Sequence, residues 1–187
     1  HSMGGLITLY SYMLGFLNPK AIVLCSPLLE MPNHPLPRAV ARPVSRIATA
    51  LGFGNMSTLA DKHRHRPFAL NKLTHDKETY HRNIHSGFKS LGARFFWVKK
   101  TYEALAYIYR RENIKKLKAP IFIQGSGQEQ VVDNIGVKNW CLQVEHYANI
   151  EVTATIIPGA KHELFSESDD YRKPALANVH KWIGRYL

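Results

Sequence analysis

The chain has 187 residues, 45% of them apolar and 11% aromatic, which suits one domain with a sizeable core and excludes collagen, low-complexity sequence and disorder. Lys and Arg number 25 against 14 Asp and Glu, a net charge of +11 that favours anionic surfaces without saying which. Cys25 and Cys141 give neither a CxxC metal pair nor a disulfide framework, so both are expected as reduced core residues.

Residues 1–19 carry no Asp, Glu, Lys or Arg. The stretch is long enough for a signal peptide or a membrane span, but Gly4, Gly5, Thr8, Ser11 and Gly15 dilute its hydrophobicity, and a second apolar run follows after only Asn18, Pro19 and Lys20. Leu6, Leu9, Tyr10, Met13, Leu14 and Leu17 recur at helical spacing, and Ala21 to Cys25 reads as a buried strand. Residues 29–118 start proline-rich, continue helical and show no convincing strand. They read as an insertion, and they hold 18 Lys and Arg against 6 Asp and Glu, while the rest of the chain holds 7 against 8.

Beyond the insertion, Ala119 to Gln124 predicts a buried strand closed by Gly125 to Gly127. A helix from Asp133 follows, then a β-branched strand Val152 to Ile157, then an amphipathic helix around Leu176, Val179, Trp182 and Ile183. Alternating strand and helix imply an α/β fold with a parallel sheet. Three segments result: 1–28 with a helix and a core strand, 29–118 as the basic insertion, and 119–187 as the second half of the core.

His1-Ser2-Met3-Gly4-Gly5 fits x-Ser-x-Gly directly before an amphipathic helix, the turn that holds a nucleophilic serine out from the backbone. The first helical turn then offers N–H groups, Met3 foremost, to a developing oxyanion. Glu129 follows one predicted strand and His162 follows the next, so the order is nucleophile, acid, histidine, all at the carboxyl edge of a parallel sheet. His162 would take the Ser2 proton, and a carboxylate would hold its tautomer. Glu129 and Asp133 both follow the same strand and either can reach a histidine. Glu129 is preferred, because Val131-Val132-Asp133-Asn134 looks like a helix start in which Asp133 or Asn134 serves as a cap.

These residues resemble a known family. His1-Ser2-Met3-Gly4-Gly5, Leu24-Cys25-Ser26-Pro27, the segment Arg66 to His75, Tyr80-His81-Arg82-Asn83, Glu129 to Asn134 and Gly159 to Leu164 look like the bacterial lysophospholipases of the inner-membrane-associated type, α/β-hydrolases near the monoacylglycerol lipases. The resemblance implies Ser2 as nucleophile, Glu129 as acid and His162 as base. It also implies no cofactor or metal, a monoacyl lipid substrate, and a site in the cytoplasm or on the inner membrane. The acid position holds Glu where the wider superfamily usually has Asp, and the loop Gly125 to Gln128 reads as one residue longer than expected. Complete members carry several strands before the elbow, including the one that leads into the serine. This chain is therefore expected to be a C-terminal portion.

By position the insertion corresponds to a lid. Its charge would attract an anionic membrane surface, while Phe88, Phe95, Phe96, Trp97, Tyr102, Tyr107 and Tyr109 would dip into the interface, line an acyl pocket or pack lid helices on the core. His63, His65, His75, His81 and His85 read as solvated histidines on a basic face rather than as metal ligands, since Lys62, Arg64, Arg66 and Arg82 surround them. Within the enzyme class the alternatives are a monoacylglycerol lipase or a carboxylesterase. Outside it stands a non-catalytic module binding anionic lipid or nucleic acid; no nucleic-acid motif is recognisable, and no such partner is expected.

Overall fold

The computed structural model describes residues 1–32, 36–58, 67–86 and 92–186. Helix α1 (Met3–Met13) runs into strand β1 (Ile22–Cys25). Helices α2 (Arg38–Ala50), α3 (Lys77–His85), α4 (Phe95–Ile108) and α5 (Arg111–Ile114) form the insertion. Strand β2 (Ile121–Ser126), helix α6 (Asn134–Tyr147), strand β3 (Val152–Ile157) and helix α7 (Asp169–Ile183) complete the chain. The strands form one parallel sheet in the order β1-β2-β3, with Cys25 opposite Gln124 and Gln124 opposite Thr155.

Strand alternation divides the core in two. Ile22, Leu24, Ile121 and Ile123 bury one face against α1 and α6, where Leu6, Leu9 and Met13 meet Val137, Trp140, Cys141 and Val144 at helical spacing. On the opposite face Cys25 and Ile157 pack with Ala160, Leu164 and Ala175, and Phe122 stacks on Trp182 of α7 at 5.5 Å. Both cysteines are free and buried, and burial pushes each thiol up to about 11.

Two boundaries differ from the sequence reading. The periodicity that carried the first helix to Leu17 overshoots, and Leu14 and Leu17 are exposed. Gly15 adopts φ 85 and donates to Tyr12 O at 2.9 Å while Phe16 donates to Ser11 O at 3.0 Å, a glycine C-terminal stop that hydropathy cannot register. The second strand runs two residues past Gln124, because Gly125 and Ser126 pair with Ile156 and Ile157.

Within the insertion, α4 packs on both α1 and α2, and the described residues hold no strand beyond a single bridge between Ser57 and Arg94. Tyr109 anchors the end of α4, its hydroxyl lying 3.2 Å from Leu29 O and 3.0 Å from Gly136 O. Tyr107 packs edge-on against Tyr10, whereas Phe96 and Trp97 are exposed. His63, His65 and Phe88 lie outside the described residues. No helix of the described residues is long and apolar enough to cross a membrane.

Candidate active site

The site is assembled where the three strands end. Ser2 donates its backbone N–H to Cys25 O at 3.0 Å, which places it beside the last residue of β1. Its backbone has φ 51 and ψ −126, a sparsely populated region for a residue with a Cβ, worth about 1–3 kcal/mol of strain. Such strain persists only where the surroundings over-determine it. Here the Ser2 carbonyl accepts from Gly5 N and from Leu28 N, both at 2.9 Å, so three backbone bonds fix the turn. Gly5 lets the chain leaving β1 pass, since a Cβ there would lie 2.6 Å from Pro27 Cβ. Gly4 faces open space.

The acid and the histidine meet as a buried pair. His162 Nδ1 lies 3.0 Å and 2.8 Å from the two carboxylate oxygens of Glu129, and both side chains are almost fully buried. Ser126 Oγ donates to the same carboxylate at 2.7 Å, and Val131 N and Val132 N donate at 2.8 and 3.2 Å. Burial raises the Glu129 pKa, but the hydrogen bond and charge of His162, then Ser126 and Val131, outweigh it and hold the carboxyl below its ordinary range. A carboxylate on Nδ1 leaves Nε2 as the nitrogen available to a nucleophile.

The loops carrying the pair are interlocked. Gly127 N donates to Ile157 O at 2.9 Å and Gln128 N to Ala160 O at 2.8 Å. A Cβ on Gly127 would meet Gly159 N at 2.8 Å and Pro158 Cα at 3.0 Å, so only glycine permits this crossing.

Asp133 is placed elsewhere. Its Oδ1 accepts from Ile135 N at 3.0 Å as the cap of α6, and its Oδ2 pairs with Arg38. Ser2 is brought beside the pair through its neighbour: the His1 ring lies 4.7 Å from the His162 ring, and His1 Nδ1 is 3.1 Å from Cys25 O. No hydrogen bond joins Ser2 Oγ to His162 among the described residues. Met3 begins α1, where Gly4 N and Gly5 N bond back to His1 O and Ser2 O while Met3 N–H has no backbone partner among the described residues.

Sequence reasoning missed two contributors. Ser126 reads in sequence as part of a loop, although its spacing of two from Gln124 puts both on one strand face. His1 reads in sequence only as the variable position before the serine, and no local signal marks it as a wall of the histidine.

The profile of the serine aminopeptidase S33 hydrolase family covers residues 1–169. The chain belongs to that family. It aligns along its full length with lysophospholipase L2 of Escherichia coli K12, 27% identical over 202 aligned positions, and spans 56% of that protein. The solved monoglyceride lipase of Saccharomyces cerevisiae matches with TM-score 0.74 at 20% identity, covering 100% of this chain and 60% of that one. The carboxyl esterase of Bacillus coagulans matches with TM-score 0.77 at 17% identity, covering 100% and 63%. The fold is therefore that of the α/β-hydrolases, and the chain covers little more than half the length of the curated relative it matches.

Proposed function

We propose that the protein is a serine ester hydrolase that cleaves the acyl ester of lysophospholipids or related monoacyl lipids, with Ser2 as nucleophile, His162 as base, Glu129 as acid and Met3 N–H as an oxyanion donor. The observation that carries the reading is the buried Glu129–His162 pair beside a strained serine turn at one sheet edge. In the proposed reaction Ser2 Oγ forms a bond to the acyl carbonyl carbon as its proton passes to His162 Nε2. The bond to the leaving glycerol oxygen then breaks and that oxygen takes the proton. Water, deprotonated by the same imidazole, then attacks the acyl carbon; the bond to Ser2 Oγ breaks, Oγ takes the proton back from His162, and fatty acid is released. Glu129 holds the imidazole in register and stabilises its charged form without itself becoming protonated. The lipase and esterase names of the relatives support this class over peptide cleavage.

Lipid as substrate has support from the insertion, which acts as a lid in this reading. On α2 the side chains of Val40, Val44, Ile47 and Leu51 form an exposed apolar stripe, and Arg42 and Arg46 are exposed on the same helix. A helix of this kind lies in an anionic interface with its cations at head-group level. Ser2→Ala in the full-length protein is expected to abolish fatty-acid release and labelling by a fluorophosphonate probe while leaving sedimentation with anionic vesicles intact. Undiminished hydrolysis by that variant would remove Ser2 from the mechanism. Profiling lysophospholipids against monoacylglycerols and short-chain esters separates the three substrate classes.

A further inference from the structure

Glu167 lies outside the triad, yet its carboxylate is completely buried at a junction. One oxygen accepts from Lys161 N at 2.7 Å and lies 2.9 Å from His75 Nδ1. The other accepts from His75 N at 2.6 Å and Ser168 N at 3.1 Å. Burial raises the Glu167 pKa, but the amides of His75 and Lys161, the His75 ring and the Ser168 amide outweigh it, so the group stays ionised. His75, read from sequence as solvated, is instead half of a pair with this carboxylate.

The contacts fall on either side of His162. Before it, Lys161 N bonds to Glu167; after it, Glu163 N donates to Leu73 O at 2.9 Å. The partner segment, 71–76, is itself rigid: Asn71 Oδ1 accepts from Leu73 N and Thr74 N, and Asn71 Nδ2 donates to Thr74 O and Phe68 O. Buried Thr74 donates its hydroxyl to Ser166 O at 2.8 Å and accepts from Asp76 N at 2.9 Å. Asp76 in turn caps α3 through Thr79 N. A continuous hydrogen-bonded path therefore runs from the start of α3, in the basic insertion, to the backbone that carries the imidazole.

We propose that Glu167 is a positioning residue that clamps the His162 turn to segment 71–76, so that the placement of the insertion sets the placement of the imidazole. The proposal rests on the triad reading above. It assigns to Glu167 no contact with substrate. Removing its charge would loosen the histidine without altering lipid binding, which loads the effect on kcat; misplacement of a reacting group by about 1 Å costs up to roughly a hundredfold.

The test uses the full-length protein with lysophospholipid as substrate. Glu167→Gln keeps the shape but sets an amide NH2 against amide donors. It is expected to lower kcat roughly ten- to a hundredfold with KM within about twofold. The downfield Nδ1 proton resonance of His162, identified by its loss in His162→Gln, is expected to shift or broaden. Glu167→Asp is expected to recover part of kcat. A folded Glu167→Gln protein with parental kcat, or with reduced kcat and an unmoved resonance, would overturn the proposal. If Glu167→Gln fails to fold, His75→Gln removes only the ring contact, and a fall in kcat at unchanged KM supports the clamp while an unchanged kcat overturns it. Ser2→Ala run in parallel separates the layers: a fully active Ser2→Ala sinks the triad reading itself, whereas an inactive one beside a parental Glu167→Gln sinks the clamp alone.

Discussion

The rings of His1 and His162 lie 4.7 Å apart at a 56° tilt, and the first is held in place by Cys25 O at 3.1 Å from its Nδ1. The residue preceding the proposed nucleophile thus forms one wall around the His162 imidazole. His1→Ala would leave the sheet untouched, because the side chain is exposed, but would let water and alternative rotamers reach the imidazole. The expected outcome is a kcat lowered roughly tenfold with an unchanged thermal midpoint, measured on lysophospholipid.

Glu129 and Asp133 are four residues apart and do different work. Glu129→Gln retains shape but favours the wrong tautomer of His162, and a loss in kcat on the order of ten-thousandfold is expected from the behaviour of serine hydrolases in general. Asp133→Ala removes a cap and a partner of Arg38. It should lower stability by about 1 kcal/mol and leave kcat near parental. Steady-state kinetics paired with urea denaturation of both variants distinguishes the two roles.

Gly127→Ala is expected to destabilise by about 1–3 kcal/mol, because its Cβ meets backbone rather than a yielding side chain. It should also depress kcat by parting the acid loop from the histidine loop. Gly4→Ala is the control. With nothing within 4 Å of the added methyl, its stability should change by less than about 1 kcal/mol. Circular-dichroism melts and turnover measured on the same preparations test both.

Acid should weaken the fold in a defined window. Tyr186 hydroxyl, then Arg185, lower the Glu151 pKa from 4.5 to about 2, and these bonds tie the end of the chain to the loop before β3. A depressed carboxyl contributes stability that is complete above its unfolded value and lost as pH falls through its folded one. The contribution is therefore expected to fade between pH 4.5 and about 2. Tyr186→Phe removes the leading cause and should shift this loss upward in pH, read as unfolding midpoints across an acid series.

Much of the arrangement was legible in the order of residues. Strand Val152–Ile157 and the start of α6 at Asp133-Asn134 declare themselves through β-branching and through cap-forming residues before a helical apolar stripe, and the structure settles the cap on Asp133. The position of Ser2 follows from the small-residue turn before an amphipathic helix, and that of His162 from its place after a predicted strand. What stayed hidden depends on contacts distant in sequence. The extension of β2 through Ser126 is decided by pairing with Ile156 and Ile157, which no local propensity reports for a Gly-Ser pair. Glu167 reads as one more loop acid until the fold brings His75 and Lys161 to it across 92 and 6 residues of sequence.

The rung between Ser2 N and Cys25 O has a mechanical corollary. The Ser2 side chain sits just before helix α1, and its amide is stitched to the end of a β-strand more than twenty residues away in sequence. Breathing of α1 away from the sheet would pivot about that stitch, displacing the far turns of the helix much more than Ser2 Oγ.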